Sequence, residues 1–399
     1  MAFALGGHPA FLVNHPDYVE DVLVVNHSGY SKPPAVRRPR SLLGSGLLTA
    51  EGELHRERRH VAGGAFAPTR LQGYASIVIG AADRLESRWH DGEVVDIAAE
   101  MRRLTLDVIG SILFDIDLAP QAAATGRALE TVAASIDPLF SLVAPVRRVE
   151  PAAACLRGLV DRLIDQRVAA GEGGDDMVSV LRRAEGSTGM PVSGQLRDDV
   201  FTLFVAGHDT IANALVWTWH LLHQHPDAAA RLRGELEDRL GGRAPAWHDV
   251  AALPYTGWVL AEALRLYPPA WVLTRRALVD HDLGDVTVPS GAIVVMSQYL
   301  LHRDARFYSD PLTFTPERWD VSAPGTRPRL AYFPFGAGPR ACIGQGLALL
   351  EGVLTVAAIA GRWRCQVLAP VVGDARATLR PRGPVPARLS RLDGARRTD

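Results

Sequence analysis

A mainly α-helical fold with a small β-rich lobe is predicted by three features of the sequence. Apolar residues recur three and four apart through Leu104 to Leu113, Ala154 to Ala169 and Ala228 to Leu240, the spacing of a single helix face. The stretch from Ser193 to Pro226 has room for a helix of about 32 residues, roughly 48 Å long at 1.5 Å per residue, enough to cross a whole domain. Runs of β type are few and short, at Phe11 to Val13, Val286 to Val288, and Ala292 to Met296 after the turn Pro289-Ser290-Gly291.

Taken in chain order, the opening strand is followed by a helical segment, Leu54 to Ala62. It carries His55 and Arg59 one turn apart and therefore on one face, beside Arg56 and Arg58. The Gly-rich polar segments Gly171 to Asp176 and Gly241 to Pro245 read as loops, and no repeat or low-complexity tract interrupts the chain. Ser193, after Pro191, is a candidate N-cap for the long helix. Its middle reads Ala206-Gly207-His208-Asp209-Thr210. A glycine there costs about 1 kcal/mol relative to alanine, and a threonine can bond back to the carbonyl four residues earlier, so the helix is expected to bend or open at this point. A tolerated irregularity in a buried helix is the plainer alternative. Further on, Glu262 and Arg265 stand at i, i+3, Arg275 and Arg276 follow the turn Tyr267-Pro268-Pro269, and Pro316-Glu317-Arg318-Trp319 supplies another charged pair.

The most informative residue is Cys342, in FPFGAGPRACIGQG from Phe333 to Gly346. The Gly/Pro-rich loop leads into an apolar helix-like run. A sulfur near a helix N-terminus meets unpaired N–H groups and the positive end of the helix dipole, which favour a thiolate able to ligate a metal. A small buried hydrophobe is the simpler reading of a free cysteine. Gly336, Gly338 and Ala341 also match G-x-G-x-x-A, but Pro328 and Pro334 stand where a dinucleotide site needs a strand, and Glu351 is too near to hold a ribose.

Composition narrows the classes. The chain has 399 residues, is 47% hydrophobic and carries a formal net charge of −1, so nothing in the global charge points to nucleic acid. Three widely spaced cysteines, Cys155, Cys342 and Cys365, argue against a disulfide framework and for a reducing compartment. The first residues form neither a basic leader with an apolar core nor a spanning segment, so a cytoplasmic protein without a membrane anchor is expected.

The spacing Phe335-x-x-Gly338-x-Arg340-x-Cys342-x-Gly344 resembles the heme-binding signature of the cytochrome P-450 superfamily, in which a thiolate ligates the iron and favours O–O cleavage. The resemblance implies one heme domain over residues 1–399, with the cytochrome P-450 fold and β-rich parts near 10–30, 270–300 and 370–390. Cys342 becomes the iron ligand of heme b. Gly336, Gly338 and Gly344 let the backbone approach a flat macrocycle, Phe335 covers the sulfur, and Arg340 pairs with a propionate. Ala206-Gly207-His208-Asp209-Thr210 resembles the oxygen-activation segment of the distal helix. In that role Thr210 is the alcohol that hydrogen-bonds dioxygen, Asp209 the acid that relays protons, and Ala206 and Gly207 leave room above the iron. His55 and Arg59 resemble a His-x-x-x-Arg pair at the heme edge. Arg275 or its neighbour Arg276 resembles the strand arginine that reaches a propionate. Glu262, Arg265 and Arg318 resemble a fold-stabilising charge cluster, with Trp319 departing from the usual phenylalanine.

The implied function is heme-thiolate monooxygenation: O₂ and two external electrons hydroxylate or epoxidise a mostly apolar small molecule, such as a secondary metabolite. A fused reductase is not expected, so a ferredoxin or flavodoxin with its NAD(P)H-dependent reductase is the expected donor to a monomeric protein. Arg56, Arg58, Arg327, Arg329 and Arg340 are expected on or near the docking face. Segments near Val36 to Leu48, Asp137 to Val146, Ala270 to Thr274 and Arg382 to Val385 are expected to line the substrate pocket, with Pro138 to Pro145 as a mobile roof. Relatives usually have a further helix and a Pro-rich hinge before the opening strand.

Overall fold

The computed structural model of the protein describes residues 1–5, 7–33, 44–135, 150–171, 173–320 and 327–392. The N-terminal part contains β1 (Ala2–Leu5), β2 (His8–Val13), α1 (Pro16–Glu20), β3 (Tyr30–Ser31), α2 (Gly52–Gly63), α3 (Pro68–Glu86), β4 (Val94–Asp96) and α4 (Ile97–Phe114). The middle is helical: α5 (Ala122–Ser135), α6 (Glu150–Ala169), α7 (Met177–Ala184), α8 (Gly194–Gln224), α9 (Pro226–Leu240) and α10 (Pro254–Leu266). Strands β5 (Leu273–Ala277), β6 (His281–Leu283), β7 (Val286–Val288) and β8 (Ile293–Met296) precede the short α11 (Gln298–Leu301). The chain continues through α12 (Gln345–Ala360), β9 (Trp363–Val367), β10 (Gly373–Ala375), β11 (Leu379–Pro381) and β12 (Pro386–Arg391).

Helix boundaries follow their local chemistry. The Ser193 hydroxyl accepts the Leu196 N–H at 3.0 Å and starts α8, while Asp96 accepts the Ala98 N–H at 3.1 Å and starts α4. Gly241, at φ +56°, ends α9 in the left-handed conformation that glycine tolerates best. α8 is apolar almost all round, and Phe201, Phe204 and Trp217 are fully buried, as expected of a helix surrounded by others. Its length and composition would suffice to cross a membrane, but 72% of its most apolar window lies inside the fold, so it is a core helix. It runs unbroken through Gly207: the Thr210 hydroxyl donates to the Ala206 carbonyl at 3.0 Å without opening the helix.

The main core joins α3, α4, α8, α10 and α12 with β9 and β12. The five-stranded sheet has the order β1-β2-β8-β5-β3, with β2 parallel to β8 and the other neighbours antiparallel. Phe11 faces Val294 across that parallel pair, so two short apolar runs far apart in sequence become one ladder. β9 alternates buried and exposed positions and pairs with β12. A second cluster beneath the sheet holds Val19, Leu23, Met296, Leu330 and Phe333, and ties the start of the cysteine loop to the β-rich lobe.

One polar cluster is wholly internal. Glu262 and Arg265 on α10 have no exposed side-chain surface and form a two-point ion pair, Nε to Oε2 and Nη2 to Oε1, both at 2.8 Å. Arg318 Nε donates to Glu262 Oε1 at 2.8 Å, the Thr315 N–H to the same oxygen at 3.0 Å, and the Trp319 indole N–H to Oε2 at 2.9 Å. Arg265 spends its remaining donors on the carbonyls of His302, Pro311 and Thr313.

Candidate active site

Cys342 lies two residues before the N-cap of α12. Its N–H donates to the Phe335 carbonyl at 2.8 Å, which folds the loop back on itself and fixes the sulfur's direction. Gly338 is required here by packing: its φ is +68°, and a Cβ would lie 1.9 Å from the Leu23 carbonyl oxygen. Gly336 is also left-handed, at φ +69°. The sulfur is deep in the fold yet accessible, a side chain facing an opening and not packed neighbours. Burial raises the thiol pKa, while the Gly344 N–H and the Arg59 charge lower it. The loop-to-helix position predicted a thiolate; in the protein alone, desolvation outweighs those two influences, and a bound cation is what would tip the balance.

A second group, of basic residues, is tied to the cysteine loop through Arg59 and Glu51. Arg59 Nη1, from α2, donates to the carbonyl of Ala341 at 2.7 Å, directly beside Cys342. Arg340 is bidentate on Glu51, with Nη1 to Oε1 at 2.8 Å and Nη2 to Oε2. Arg275, on β5, is buried, and its Nη1 donates to its neighbour's Thr274 carbonyl at 2.9 Å. Arg276, next to it, is only partly buried. Lys32 is buried as well, its Nζ donating to the carbonyls of Leu47 at 3.2 Å and Ala50 at 3.0 Å. His55 completes the set and is buried on the face of α2 that also carries Arg59.

These cations are short of counter-charge. Burial, then repulsion from Arg340 and Arg275, pushes the Lys32 ammonium down to about 7, with Glu51 opposing. Burial pushes His55 down to about 4, with Lys32, Arg340 and Arg59 adding to the effect. Arg275 is lowered to about 10 by burial and by Arg340. Among the described residues Glu51 is the carboxylate that offsets all three, and its oxygens are already taken by Arg340 and the Lys32 N–H. A buried cluster of this kind is built to receive anions. A metal-bearing group with two carboxylates would fit the donor set: one thiol, flanked by cations in excess of acids.

On α8, the Asp209 carboxylate and the Thr210 hydroxyl are partly exposed, and Ala206 is exposed on the same stretch. A Cβ at Gly207 would meet Ile109 Cδ1 at 2.8 Å, so glycine there lets α8 approach α4 closely. His208 is buried and shares its Nε2 with the Arg102 carbonyl at 3.0 Å. Asp209 Oδ2 accepts from Asn213 at 3.0 Å and from the Thr378 hydroxyl at 2.7 Å.

A family model described as cytochrome P450 matches residues 1–370. The chain belongs to the cytochrome P450 family. It is 37% identical to cyclooctatin synthase of Streptomyces melanosporofaciens over 95% of this chain and 84% of that protein. It is 35% identical to cyclooctat-9-en-7-ol 5-monooxygenase of the same organism (92% and 82%) and 31% identical to pentalenene oxygenase of Streptomyces avermitilis (91% and 83%). The crystal structure of the cytochrome P450DA heme domain matches with a TM-score of 0.88 at 26% identity, covering 99% of this chain and 90% of that one. This P450 is therefore a monooxygenase, an oxidoreductase of a family that works with heme iron, O₂, an organic substrate and a redox partner.

Several expectations need amendment. Arg58 is not on a docking face: it is buried, with Nε on Asp199 at 2.6 Å and a second contact to Glu185, because the face of α2 opposite His60 packs inward. Arg327 stacks over Trp319 at 4.7 Å and Tyr308 at 5.3 Å, whereas Arg56 and Arg329 are exposed. Residues 36–43, the segment Asp137 to Val146 and the roof Pro138 to Pro145 lie outside the described residues. Lys32, Glu51, Asn213 and Thr378 carry no motif and are found only through the fold. Asn213 alone left a trace, standing one turn after Asp209.

Proposed function

We propose that residues 1–399 form one heme b domain of a cytoplasmic, monomeric P450 that hydroxylates or epoxidises a mostly apolar terpene of secondary metabolism. Two electrons come from a ferredoxin or flavodoxin served by an NAD(P)H-dependent reductase. The overall balance is substrate, O₂, two electrons and two protons giving oxygenated product and water. The observation that carries the reading is the accessible Cys342 thiol beside a buried excess of cations, a setting that the exposed Cys155 and the buried Cys365 are not seen to share. The terpene class is supported by the names of the relatives, cyclooctatin synthase and pentalenene oxygenase.

Heme, when bound, supplies O₂ activation. Cys342 would hold its iron, and Lys32, His55, Arg59, Arg275 and Arg340 would hold its propionates, with Phe335 and Gly336 in the supporting loop. The partly exposed Thr210 hydroxyl, which donates to the Ala206 carbonyl, can turn to donate to substrate or water instead. Asp209 can exchange protons with water through the oxygen that its neighbours leave open.

The test is to titrate the heme-loaded protein with sesquiterpene and diterpene hydrocarbons and alcohols while recording the Soret band. The best binder is then turned over with NADPH, a surrogate ferredoxin and its reductase under isotopically heavy O₂. A Soret shift and a product carrying one labelled oxygen are expected. Shifts with fatty acids or aromatics but with no terpene would overturn the substrate class, and binding without labelled product would overturn turnover.

A further inference from the structure

Three residues at successive four-residue steps along α8, Asp209, Asn213 and Trp217, all engage the hairpin formed by β10 and β11. Residues at i, i+4 and i+8 form one stripe on a helix. The Trp217 indole N–H donates to the Leu379 carbonyl at 3.1 Å, and the ring stacks on Tyr267 at 4.1 Å and 7°. The Leu379 N–H donates in turn to the Pro269 carbonyl at 2.9 Å. Leu379 is thus pinned from both sides, and the residue before it, Thr378, is set in place beside the helix.

Thr378 and Asn213 close a triangle on Asp209. The hydroxyl donates to Asp209 Oδ2 at 2.7 Å, one Asn213 amide hydrogen goes to the same oxygen at 3.0 Å, and the other goes to the threonine oxygen at 3.2 Å. Both hydrogen bonds fall on Oδ2. Among the described residues none reaches Oδ1, and Asp209 is partly exposed. The carboxylate is therefore held by one oxygen and open at the other.

We propose that Thr378 is a positioning residue, which fixes Asp209 through Oδ2 and so couples the proton-relay acid to the seating of the C-terminal hairpin. The same chain segment, a few residues on, enters the stretch Arg382 to Val385 on the way to β12. A substrate that shifts the hairpin would thereby move the acid. This inference rests on the reading of Asp209 as the relay, and a hydroxyl at position 378 is the specific requirement it adds.

The experiment compares wild type, Thr378→Val, Thr378→Ser, Asp209→Asn and the double variant Asp209→Asn/Thr378→Val as holoenzymes. The substrate is the terpene giving the largest Soret shift, with NADPH and surrogate ferredoxin. Amide exchange at Leu379 reports whether the hairpin stays docked. Thr378→Val should raise hydrogen peroxide released per NADPH and enlarge the solvent isotope effect on product formation, with a loss of product rate of about ten-fold, the size of one hydrogen bond to a charged group. Thr378→Ser should restore wild-type behaviour, and in the Asp209→Asn background Thr378→Val should add nothing further. Wild-type coupling in Thr378→Val, with Asp209→Asn impaired, would overturn the positioning role alone. An equal loss in both backgrounds would do the same by assigning Thr378 to the pocket. An Asp209→Asn variant with normal coupling would overturn the relay itself.

Discussion

Two buried charge clusters in this protein differ in their bookkeeping, and the difference separates structure from function. Around Glu262 every charge and donor is answered inside the protein: five donors converge on its two oxygens, and Arg265 finds a partner for each of its N–H groups. Around Glu51 the account does not close: Lys32, Arg275 and Arg340, with neutral His55, share one carboxylate. A self-satisfied cluster holds elements together. A cluster left in charge excess costs stability in the protein alone and is tolerated where an anion is to be received.

The contrast is broken most severely at Glu262. Glu262→Ala leaves Arg265 and Arg318 as uncompensated buried cations, a cost of about 3–5 kcal/mol, so most of the protein is expected in the insoluble fraction, with denaturant unfolding of the remainder shifted accordingly. Arg275→Leu tests the opposite cluster. Because it removes one of the excess cations, the heme-free protein should melt at the same or a higher temperature. Loss of a charged hydrogen bond worth about 1.5–3 kcal/mol should nevertheless speed heme transfer to apomyoglobin by ten-fold or more.

Lys32 gives a pH signature. Its folded-state pKa, about 7, lies below the ordinary value of 10.5, so between these limits the unfolded chain holds a proton that the folded chain does not. Stability of the heme-free protein should therefore rise as pH increases from about 7 to 10, by at most about 1.4 kcal/mol per unit. Thermal melts of Lys32→Met should lack that slope, and heme should suppress it in the wild type by keeping the ammonium charged. The smallest effect is expected from Trp319→Phe, which removes one of five donors to Glu262 and should cost about 1–2 kcal/mol in chemical unfolding without altering heme retention.

What the sequence made legible was local. The period of α4, α6 and α9, the Ser193 cap, the cysteine loop and the Glu262–Arg265 spacing are all encoded within a few residues of each other, and each is present in the structure. Legibility ended where partners are distant. Arg58 reads as one of the basic residues of a docking face, yet Asp199 and Glu185, well over a hundred residues away, draw it inside. Lys32 and Glu51 meet Arg340 and Arg275 only through the stacking of α2, β5 and the cysteine loop. Trp319 reads as a conservative aromatic change, but its indole N–H gives Glu262 a donor that phenylalanine lacks. Gly338 is needed for the approach of the Leu23 carbonyl, which no motif contains.

The central claim is that the thiol beside the unbalanced cations is the seat of heme iron. It is tested most directly by the carbon monoxide difference spectrum of the reduced, heme-loaded protein, recorded for the wild type and for Cys155→Ala, Cys342→Ala and Cys365→Ala. The red-shifted Soret band of a thiolate-ligated heme should be present in the wild type and in the Cys155 and Cys365 variants, and absent in Cys342→Ala. Persistence of that band in Cys342→Ala would contradict the account and place the iron ligand elsewhere.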